Sequence, residues 1–319
     1  MRQRYPAALI GLGNISLGYD NGKGEPPLTH VASLRREARV RLTAGCAPVA
    51  IERKRFHALT GATVYESPEE MLRAERPDLV SVCSPTELHF AHAMLCVEAG
   101  VKMLWLEKPP VVSVAEGEAL LRTVRERRTT VMVGYQRRYA EPFVSLRAYL
   151  KRGARENLLA VSVHYSLKLR RNGCHALDAV SFLLEDPDFS LAGVVPGQDP
   201  ETPSFLLRTG DLPISFTGLA GELHSLDIAL TFRDERIEIL NGGKLVFRRR
   251  EEADPRYPSR WLGSPELAPF PTLDEQNGMA ESLTDLLDSF EEGRQPVSNL
   301  ESAMKTQRVM EAVLKETAE

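Results

Sequence analysis

The chain has 319 residues, of which 43% are hydrophobic and 26% are charged, and its formal net charge is −4. These proportions are typical of a globular protein, exclude a disordered or fibrous chain, and at this length favour two domains. The small negative charge gives no reason to expect nucleic acid or an anionic membrane as a partner. The apolar runs are shorter than the ~20 residues of a membrane span, and the first ends too early for a secretory signal. We therefore expect a cytoplasmic protein.

The first half of the chain, residues 1–138, alternates short apolar runs with longer amphipathic ones. This pattern predicts strands joined by helices in a parallel sheet. Strands are predicted at residues 7–10, 42–46, 79–83, 101–106 and 130–134, and helices at 67–74, 87–99 and 114–126. Ser67, followed by Pro68 and two glutamates, has the composition of a capped helix start. The economical interpretation is a doubly wound α/β domain.

The second half, residues 139–319, has a different texture, with alternating apolar and polar residues typical of antiparallel strands. Strands are predicted at residues 158–165, 204–208, 214–219, 226–232, 236–240 and 244–248. Helices are predicted at 143–151, 175–184, 275–290 and 300–315, and the proline-rich stretch 254–271 is predicted to be a loop. Asn241-Gly242 predicts a hairpin, whose turn Gly243 lengthens. We expect an α+β domain with a mostly antiparallel open sheet.

A glycine-rich turn, Gly11-Leu12-Gly13-Asn14-Ile15-Ser16, directly follows the first predicted strand. Glycines there allow the backbone to approach a pyrophosphate group near the start of a helix. The third glycine of the usual pattern is replaced by Ser16, and residues 17–27 are rich in glycine and proline. We therefore expect a loop to interrupt the helix, which resumes near Thr29. A plain strand–loop turn is the alternative interpretation.

The end of the second predicted strand bears on the choice of nucleotide. Dinucleotide sites often place an acid there to bind the ribose hydroxyls, but this chain has Ala47 and Pro48. Without that carboxylate, the 2′-phosphate of NADP meets less repulsion, and Arg53 and Lys54 follow within a few residues. The sequence thus slightly favours NADP over NAD, although both basic side chains could equally face solvent.

Glu107-Lys108-Pro109-Pro110 follows the fourth predicted strand at its carboxyl end, where α/β sheets bind ligands. Proline after Lys108 disfavours a helix and predicts a rigid turn. A lysine beside a nicotinamide ring is partly desolvated and can exchange a proton with substrate. The alternative is an ordinary surface lysine.

His175 is a second candidate for proton transfer, because histidine titrates near neutrality. Asp178 lies about one helical turn further along and can interact with the ring. The alternative is a helix start in which Asn172 is the cap, His175 is incidental and Asp178 is a first-turn acid.

The four cysteines show no C-x-x-C spacing, so neither a zinc site nor a disulfide framework is indicated.

Taken together, these motifs resemble the Gfo/Idh/MocA oxidoreductase family, which includes glucose–fructose oxidoreductase and inositol dehydrogenase. Five features occur in register over essentially the whole chain, most clearly within residues 7–185. They are Gly11-x-Gly13-x-x-Ser16, Ser81-Val82-Cys83-Ser84-Pro85-Thr86 with His89, Ala99-Gly100 leading into Glu107-Lys108-Pro109, Gly134-Tyr135-Gln136-Arg137-Arg138-Tyr139, and Asn172-Gly173-Cys174-His175 with Asp178.

The resemblance implies a Rossmann domain followed by an α/β domain whose open sheet often forms an oligomer interface, so a homodimer or homotetramer is expected. It implies that Lys108 and His175 flank the substrate carbon beside the nicotinamide. The implied cofactor contacts are Gly11, Gly13, Asn14, Ile15, Ser16, Ser84, Pro85, Thr86, His89, Glu107 and Lys108. The implied substrates are sugars, cyclitols or nucleotide sugars, with expected contacts from Arg138, Lys168, Arg171, Asn172 and Asp178. No metal is expected.

The chain departs from the family where Arg171 replaces the aspartate that many members carry four residues before the histidine. Arg171 could instead bind an anionic group of the substrate. The main hypothesis is an NAD(P)-dependent oxidoreductase acting on a secondary alcohol or its ketone. One alternative is a non-catalytic relative that binds a dinucleotide or metabolite and regulates a partner, which the irregular first loop favours. Another is an enzyme that retains its cofactor for internal redox steps such as elimination.

Overall fold

A computed structural model describes residues 4–253, 256, 260–268 and 278–318. The described residues divide into two compact units. The first is drawn from Met1–Tyr139 and Asn277–Met304, and the second from Ala140–Gln276 and Lys305–Glu319. A C-terminal segment thus returns to the first unit, whereas the sequence-based division assigned all residues after 138 to the second domain.

The first unit contains a six-stranded sheet in the order β3-β2-β1-β4-β5-β6, and every strand pair is parallel. Its strands are β1 (Tyr5–Ile10), β2 (Val40–Cys46), β3 (Thr63–Tyr65), β4 (Leu79–Val82), β5 (Met103–Leu106) and β6 (Thr130–Val133). The strand order reverses between β1 and β4, which is where sheets of this topology bind nucleotides. The predicted doubly wound sheet is confirmed. The short, partly exposed β3 was not predicted.

Six helices accompany this sheet: α1 (His30–Arg36), α2 (Ala50–Thr60), α3 (Pro68–Glu75), α4 (His89–Glu98), α5 (Val114–Arg127) and α8 (Met279–Glu292). The predicted cap of α3 is confirmed, since the Ser67 hydroxyl accepts a hydrogen bond from the Glu70 amide at 3.2 Å. The buried apolar face of α8, including Leu283 and Leu287, belongs to the same hydrophobic core as Leu9 and Trp105. The helix therefore completes the core of the nucleotide-binding fold.

The second unit is built on a nine-stranded sheet ordered β14-β13-β12-β11-β7-β10-β9-β8, in which β15 also pairs with β13. Among the strand pairs of this sheet that the structure describes, only β7 and β10 run parallel. The strands are β7 (Leu158–Ser166), β8 (Ser190–Val195), β9 (Ser204–Thr209), β10 (Leu212–Leu219), β11 (Leu226–Phe232), β12 (Glu235–Leu240), β13 (Leu245–Ala253), β14 (Arg260–Leu262) and β15 (Glu266–Leu267). The unit's helices are α6 (Glu141–Lys151), α7 (Cys174–Leu183) and the part of α9 (Leu300–Ala318) from Lys305 onward. The predicted α+β class with a mostly antiparallel sheet is confirmed.

One prediction for the second half needs correction. The stretch 254–271 was predicted to be a loop, but its described part contains β14 and β15, both paired with β13. These strands are two or three residues long, and nearby prolines hide so short a pattern. Residues 254, 255, 257–259 and 269–271 of that stretch, and 275–277 of the predicted helix 275–290, lie outside the described residues. The hairpin at Asn241-Gly242 is confirmed, with Leu240 paired to Leu245.

Candidate active site

The glycine turn after β1 lies against the end of β4. Gly11 has a φ of +91°, and a Cβ placed on it would lie 2.7 Å from backbone atoms of Cys83 and Ser84. Its amide donates to the Cys46 carbonyl at 2.9 Å, which ties the turn to the end of β2. Only glycine fits here, since any side chain would push the turn away from the neighbouring strand.

The space beside Gly13 is empty, whereas the space beside Gly11 is filled by neighbouring backbone atoms. A Cβ on Gly13 would have no other atom within 4 Å, so the missing side chain leaves a free space beside the turn. Ser16, which replaces the third glycine, is fully buried, and its hydroxyl donates inward to the Gly13 carbonyl at 2.7 Å. The serine therefore leaves this space free. Asn14 is exposed and Ile15 is half-buried beside it, so the turn fits the pyrophosphate of a dinucleotide.

The inserted loop after the turn is fastened to α1 by Asp20. The Asp20 carboxylate accepts hydrogen bonds from the amides of Gly22 at 2.8 Å and Leu28 at 2.7 Å, and from the Thr29 hydroxyl at 2.7 Å. The Thr29 hydroxyl also accepts a hydrogen bond from the Ala32 amide, which caps the helix. The helix resumes at His30, which confirms the expected restart near Thr29.

At the end of β2, a positive charge occupies the region where dinucleotide folds often place an acid. The Arg53 guanidinium donates to the carbonyls of Ala47 at 2.6 Å and Pro48 at 2.8 Å, and lies 3.5 Å from Glu66. Two carbonyls thus fix its direction. Lys54 is exposed.

His89 links the loops that follow β4 and β5. The residue is 1% exposed, and its Nε2 and Nδ1 lie 2.8 Å and 2.7 Å from the carbonyls of Ser84 and Pro109. Pro85 is exposed and Thr86 half-buried on the first of these loops. The buried His89 ring therefore connects the loop after β4 with the loop after β5 through these two carbonyls.

The turn after β5 presents a single side chain. From Met103 to Val111 every residue is buried except Lys108, which is half-buried. Glu107 is 7% exposed, and its Oε1 lies 2.9 Å from Nε2 of His30, a residue with no exposed surface. Burial raises the pKa of Glu107, but hydrogen bonding to His30 and the nearby charges of His30, Lys108 and His89 outweigh burial and lower that pKa below its ordinary value.

In the second unit, the segment before α7 combines strain with hydrogen bonds to neighbouring loops. Leu167 and Lys168 have φ values of +59° and +68°, uncommon for non-glycine residues. The Lys168 ammonium forms a salt bridge with Glu201. The Asn172 amide donates to the Ser225 carbonyl at 2.9 Å. Arg171, by contrast, is exposed. The Lys168 and Asn172 side chains are thus bound to neighbouring loops of the same unit.

His175 and Asp178 lie in the first turns of α7. His175 is half-buried, whereas Asp178 is 1% exposed, with the Thr306 hydroxyl 3.5 Å from its carboxylate. The helix cap is Gly173 rather than Asn172, so the interpretation of Asn172 as a capping residue is wrong. Arg138, another predicted substrate contact, lies in the first unit. It is 1% exposed, and its guanidinium is 3.4 Å from the Val297 carbonyl.

Within the described part of the chain, no group of three or more His, Cys, Asp and Glu side chains could hold a metal ion. The helices found there also include none long and apolar enough to cross a membrane.

Comparison with known proteins decides the family. Residues 7–135 match the model of GFO_IDH_MocA, described as an oxidoreductase family with an NAD-binding Rossmann fold. This region belongs to the Gfo/Idh/MocA family. The chain is 32% identical over 112 residues to D-glucoside 3-dehydrogenase from Escherichia coli, covering 35% of this chain and 31% of that protein. It is 31% identical over 105 residues to scyllo-inositol 2-dehydrogenase (NADP(+)) from Bacillus subtilis, covering 33% of this chain and 29% of that protein.

The chain thus spans about a third of the length of these two curated relatives, but similarity in fold extends further. A 3-ketoreductase from Actinomadura kijaniata, solved with NADP and TDP-benzene, matches with a TM-score of 0.78 over 98% of this chain and 97% of that chain, at 16% identity. An aldose-aldose oxidoreductase from Caulobacter crescentus gives a TM-score of 0.78 over 99% and 98%, at 18% identity. Both units therefore share the fold of these two solved oxidoreductase structures.

Two residues that support the candidate site were not predicted from the sequence. The sequence alone assigned a functional role to neither His30 nor Asp20. Thr29 was the available signal, because a capping threonine fixes the helix start and places His30 in its first turn. The hydrogen-bond partner of His30, Glu107, is distant in sequence, so the contact between them could not be predicted.

Proposed function

We propose that the protein is an NAD(P)-dependent oxidoreductase that acts on a secondary alcohol or the matching ketone of a sugar, cyclitol or nucleotide sugar. The observation that carries this proposal is the turn after β5, where Lys108 alone is solvent-accessible among buried neighbours. It follows the carboxyl end of a strand in a sheet whose glycine turn fits a dinucleotide. The names of the relatives, a glucoside dehydrogenase and an inositol dehydrogenase, support the substrate class.

The roles of the residues follow from their places in the first unit. A nicotinamide, when bound, supplies or accepts a hydride at its ring carbon C4. The space beside Gly13 receives the pyrophosphate, and the loop containing Pro85 and Thr86 lines the adjacent ribose. Lys108 holds the substrate oxygen by a hydrogen bond and exchanges its proton as the carbon changes oxidation state. His175 is the second candidate for this proton.

The cofactor we propose is NADP. Arg53 is held at the end of β2 by two backbone carbonyls, and the residues that follow the strand, Ala47 and Pro48, carry no charge. A guanidinium in that position can pair with a 2′-phosphate in a bidentate manner.

The first test is calorimetric titration of the purified, nucleotide-stripped protein with NADPH and with NADH. We expect micromolar binding, tighter for NADPH, followed by turnover in a screen of sugars, cyclitols and nucleotide sugars. Binding without turnover on any of them would favour a non-catalytic regulatory relative, and no binding of either nucleotide would contradict the proposal.

Arg53→Ala tests the nucleotide preference, with Lys54→Ala as the neighbouring control. We expect Arg53→Ala to weaken NADPH binding by about tenfold while NADH binding changes little, because only NADPH loses a charge-assisted contact. Equal losses for both nucleotides would show that Arg53 shapes the turn instead. The expected homo-oligomer stays a prediction, which the mass of the protein in solution would check.

A further inference from the structure

We propose that His30 is a positioning residue for Lys108, acting through the buried carboxylate of Glu107. The inference rests on the proposed function only for the role of Lys108. The contacts that carry it all lie within the first unit.

The imidazole of His30 is held on three sides. Its Nε2 lies 2.9 Å from Oε1 of Glu107, its Nδ1 lies 3.2 Å from the hydroxyl of Ser81, and its ring centroid is 3.9 Å from that of Trp105. Neither His30 nor Ser81 has any exposed surface. A buried polar group with both ring nitrogens engaged has one orientation available to it.

These contacts assign the hydrogen positions. A carboxylate only accepts hydrogen bonds, so Nε2 of His30 carries the proton that points to Glu107. The Ser81 hydroxyl, which can donate or accept, satisfies Nδ1 in either protonation state of the ring. The order serine–histidine–acid is that of a nucleophilic triad, but Ser81 is completely buried and cannot reach a substrate. The arrangement therefore serves to hold the carboxylate.

Glu107 transmits this constraint to the next residue. Its Oε2 accepts a hydrogen bond from the Lys108 amide at 3.3 Å. On its other side, a Cβ on Gly134 would lie 2.7 Å from Oε1, so the carboxylate fills the space that this glycine leaves. A displaced carboxylate would thus move the Lys108 peptide, and with it the side chain that faces solvent.

The position of His30 is itself set by the inserted loop. His30 is the first residue of α1, whose cap Thr29 donates its hydroxyl hydrogen to Asp20. Asp20 also gathers two amides of the loop. The loop that distinguishes this chain from the usual glycine motif therefore anchors the helix that orients the Glu107 carboxylate.

The test compares His30→Leu and His30→Gln with Ser33→Ala. Ser33 lies on the same helix and donates to the Thr29 carbonyl, so its variant loses a buried hydrogen bond without touching Glu107. The first readout is the titration of the Glu107 carboxyl, followed by ¹³C NMR of glutamate-labelled protein and assigned by its loss in Glu107→Gln. The second is the rate of reductive methylation of Lys108, measured by peptide mass spectrometry.

Lys102 provides the internal reference for the second readout. It precedes β5 at the opposite end from Lys108 and forms an ion pair with Asp78 at 2.9 Å. We expect the ratio of Lys108 to Lys102 methylation to rise severalfold in His30→Leu and to stay unchanged in Ser33→Ala. His30→Gln keeps an N–H donor for the carboxylate, so its ratio should fall between the two.

The carboxyl titration has a defined direction. Lys108, His89 and Cys83 also face Glu107, but His30 is its hydrogen-bonded partner. With leucine in place of His30, burial acts without that partner, so the pKa of Glu107 should rise, and rise less with glutamine. With a turned-over substrate, kcat of His30→Leu should fall about tenfold to a hundredfold with little change in KM, because orientation is lost rather than binding.

Two outcomes would overturn the proposal. One is a folded His30→Leu protein whose Glu107 titration and Lys108 methylation match the unmodified chain. If leucine prevents folding, His30→Ala, which also removes the donor to Glu107, replaces it, and the same result in that variant is equally decisive. NADPH titration of the unmodified chain, run in parallel, separates this failure from failure of the proposed function, since both structural readouts need no cofactor or substrate.

Discussion

The two units differ in how their candidate functional residues are held. In the first, the residues proposed to bind and react converge at the carboxyl edge of a parallel sheet, and buried partners such as His30 support them from below. In the second, Lys168 and Asn172 are engaged by Glu201 and Ser225, which leaves the exposed Arg171 and half-buried His175 with accessible surface. Buried contacts thus support the candidate residues of the first unit, whereas two of those in the second keep surface that a ligand could reach.

Sheet topology explains this difference. Parallel strands place every carboxyl end at one edge, so short motifs that are distant in sequence become neighbours. Strands of an antiparallel sheet end alternately at opposite edges, so position in sequence says less about which side chains meet. The following predictions test whether the first unit carries the chemistry and the second tolerates change.

The largest effect is expected from Lys108→Met. Removing the ammonium should lower kcat by about 10² to 10⁴-fold, because the proton of the substrate hydroxyl loses its partner. Nucleotide binding, measured by calorimetry, should be nearly unchanged, since the glycine turn is intact. Lys102→Met, at the other end of the same strand, is the matched control and should retain activity. Near-normal turnover of Lys108→Met would show that another group, with His175 the first candidate, transfers the proton.

Gly11→Ala and Gly13→Ala should separate folding from binding. Alanine at Gly11 meets backbone atoms at 2.7 Å and takes a positive φ, so we expect a loss of about 2–4 kcal/mol in the free energy of unfolding. Alanine at Gly13 meets nothing within 4 Å and should fold normally, yet its methyl group fills the space proposed for the pyrophosphate. Urea unfolding and NADPH titration of both variants measure the two effects. Unimpaired NADPH binding by Gly13→Ala would place the pyrophosphate elsewhere.

Much of this organisation could be predicted from the sequence, because it depends on local patterns. Apolar runs marked five of the six parallel strands, and Ser67 and Thr29 marked helix starts that the structure confirms. The missed β3 has only three residues, too few for a periodic signal. In the second half, β8 was missed because four of its six residues are exposed and its alternation is weak.

The candidate site divides along the same line. The glycine turn and the turn at Lys108 are each formed by one continuous stretch of sequence. Their residue types alone therefore indicate a cofactor site and a proton donor. The contact between His30 and Glu107 joins residues 77 positions apart, and only the folded sheet brings them together. Asn172 illustrates the converse, because a residue type suited to capping or ligand binding instead donates to Ser225, 53 positions away.

In the second unit, Asn172→Ala should lower the free energy of unfolding, whereas Arg171→Ala should leave it nearly unchanged. Loss of the Asn172 amide leaves the Ser225 carbonyl without this donor, so we expect a destabilisation of about 1–3 kcal/mol in urea unfolding. Arg171 is exposed, and its replacement should change stability by less than about 0.5 kcal/mol. If Arg171 binds an anionic substrate group, KM rises for that variant while kcat holds. Destabilisation by Arg171→Ala would assign it a structural role.

The smallest effect on stability is expected for Lys168→Ala. The hydrogen bond and charge of Glu201 raise the pKa of Lys168, so their pairing stabilises the fold below the ordinary lysine pKa and is lost as pH rises through the raised value. Both side chains are about half exposed, at 53% each, and solvent screens their attraction. At neutral pH the thermal midpoint of the variant should therefore match that of the unmodified chain.

That neutrality makes Lys168→Ala an unusually clean test of the expected substrate contact. An anionic substrate would have to displace Glu201 from the ammonium, so Glu201→Gln should lower KM for that substrate while Lys168→Ala raises it. A neutral sugar that does not contact the pair should show the same KM with both variants. An equal KM for both variants would assign substrate recognition to other residues of the second unit, with Arg171 and His175 as the remaining candidates.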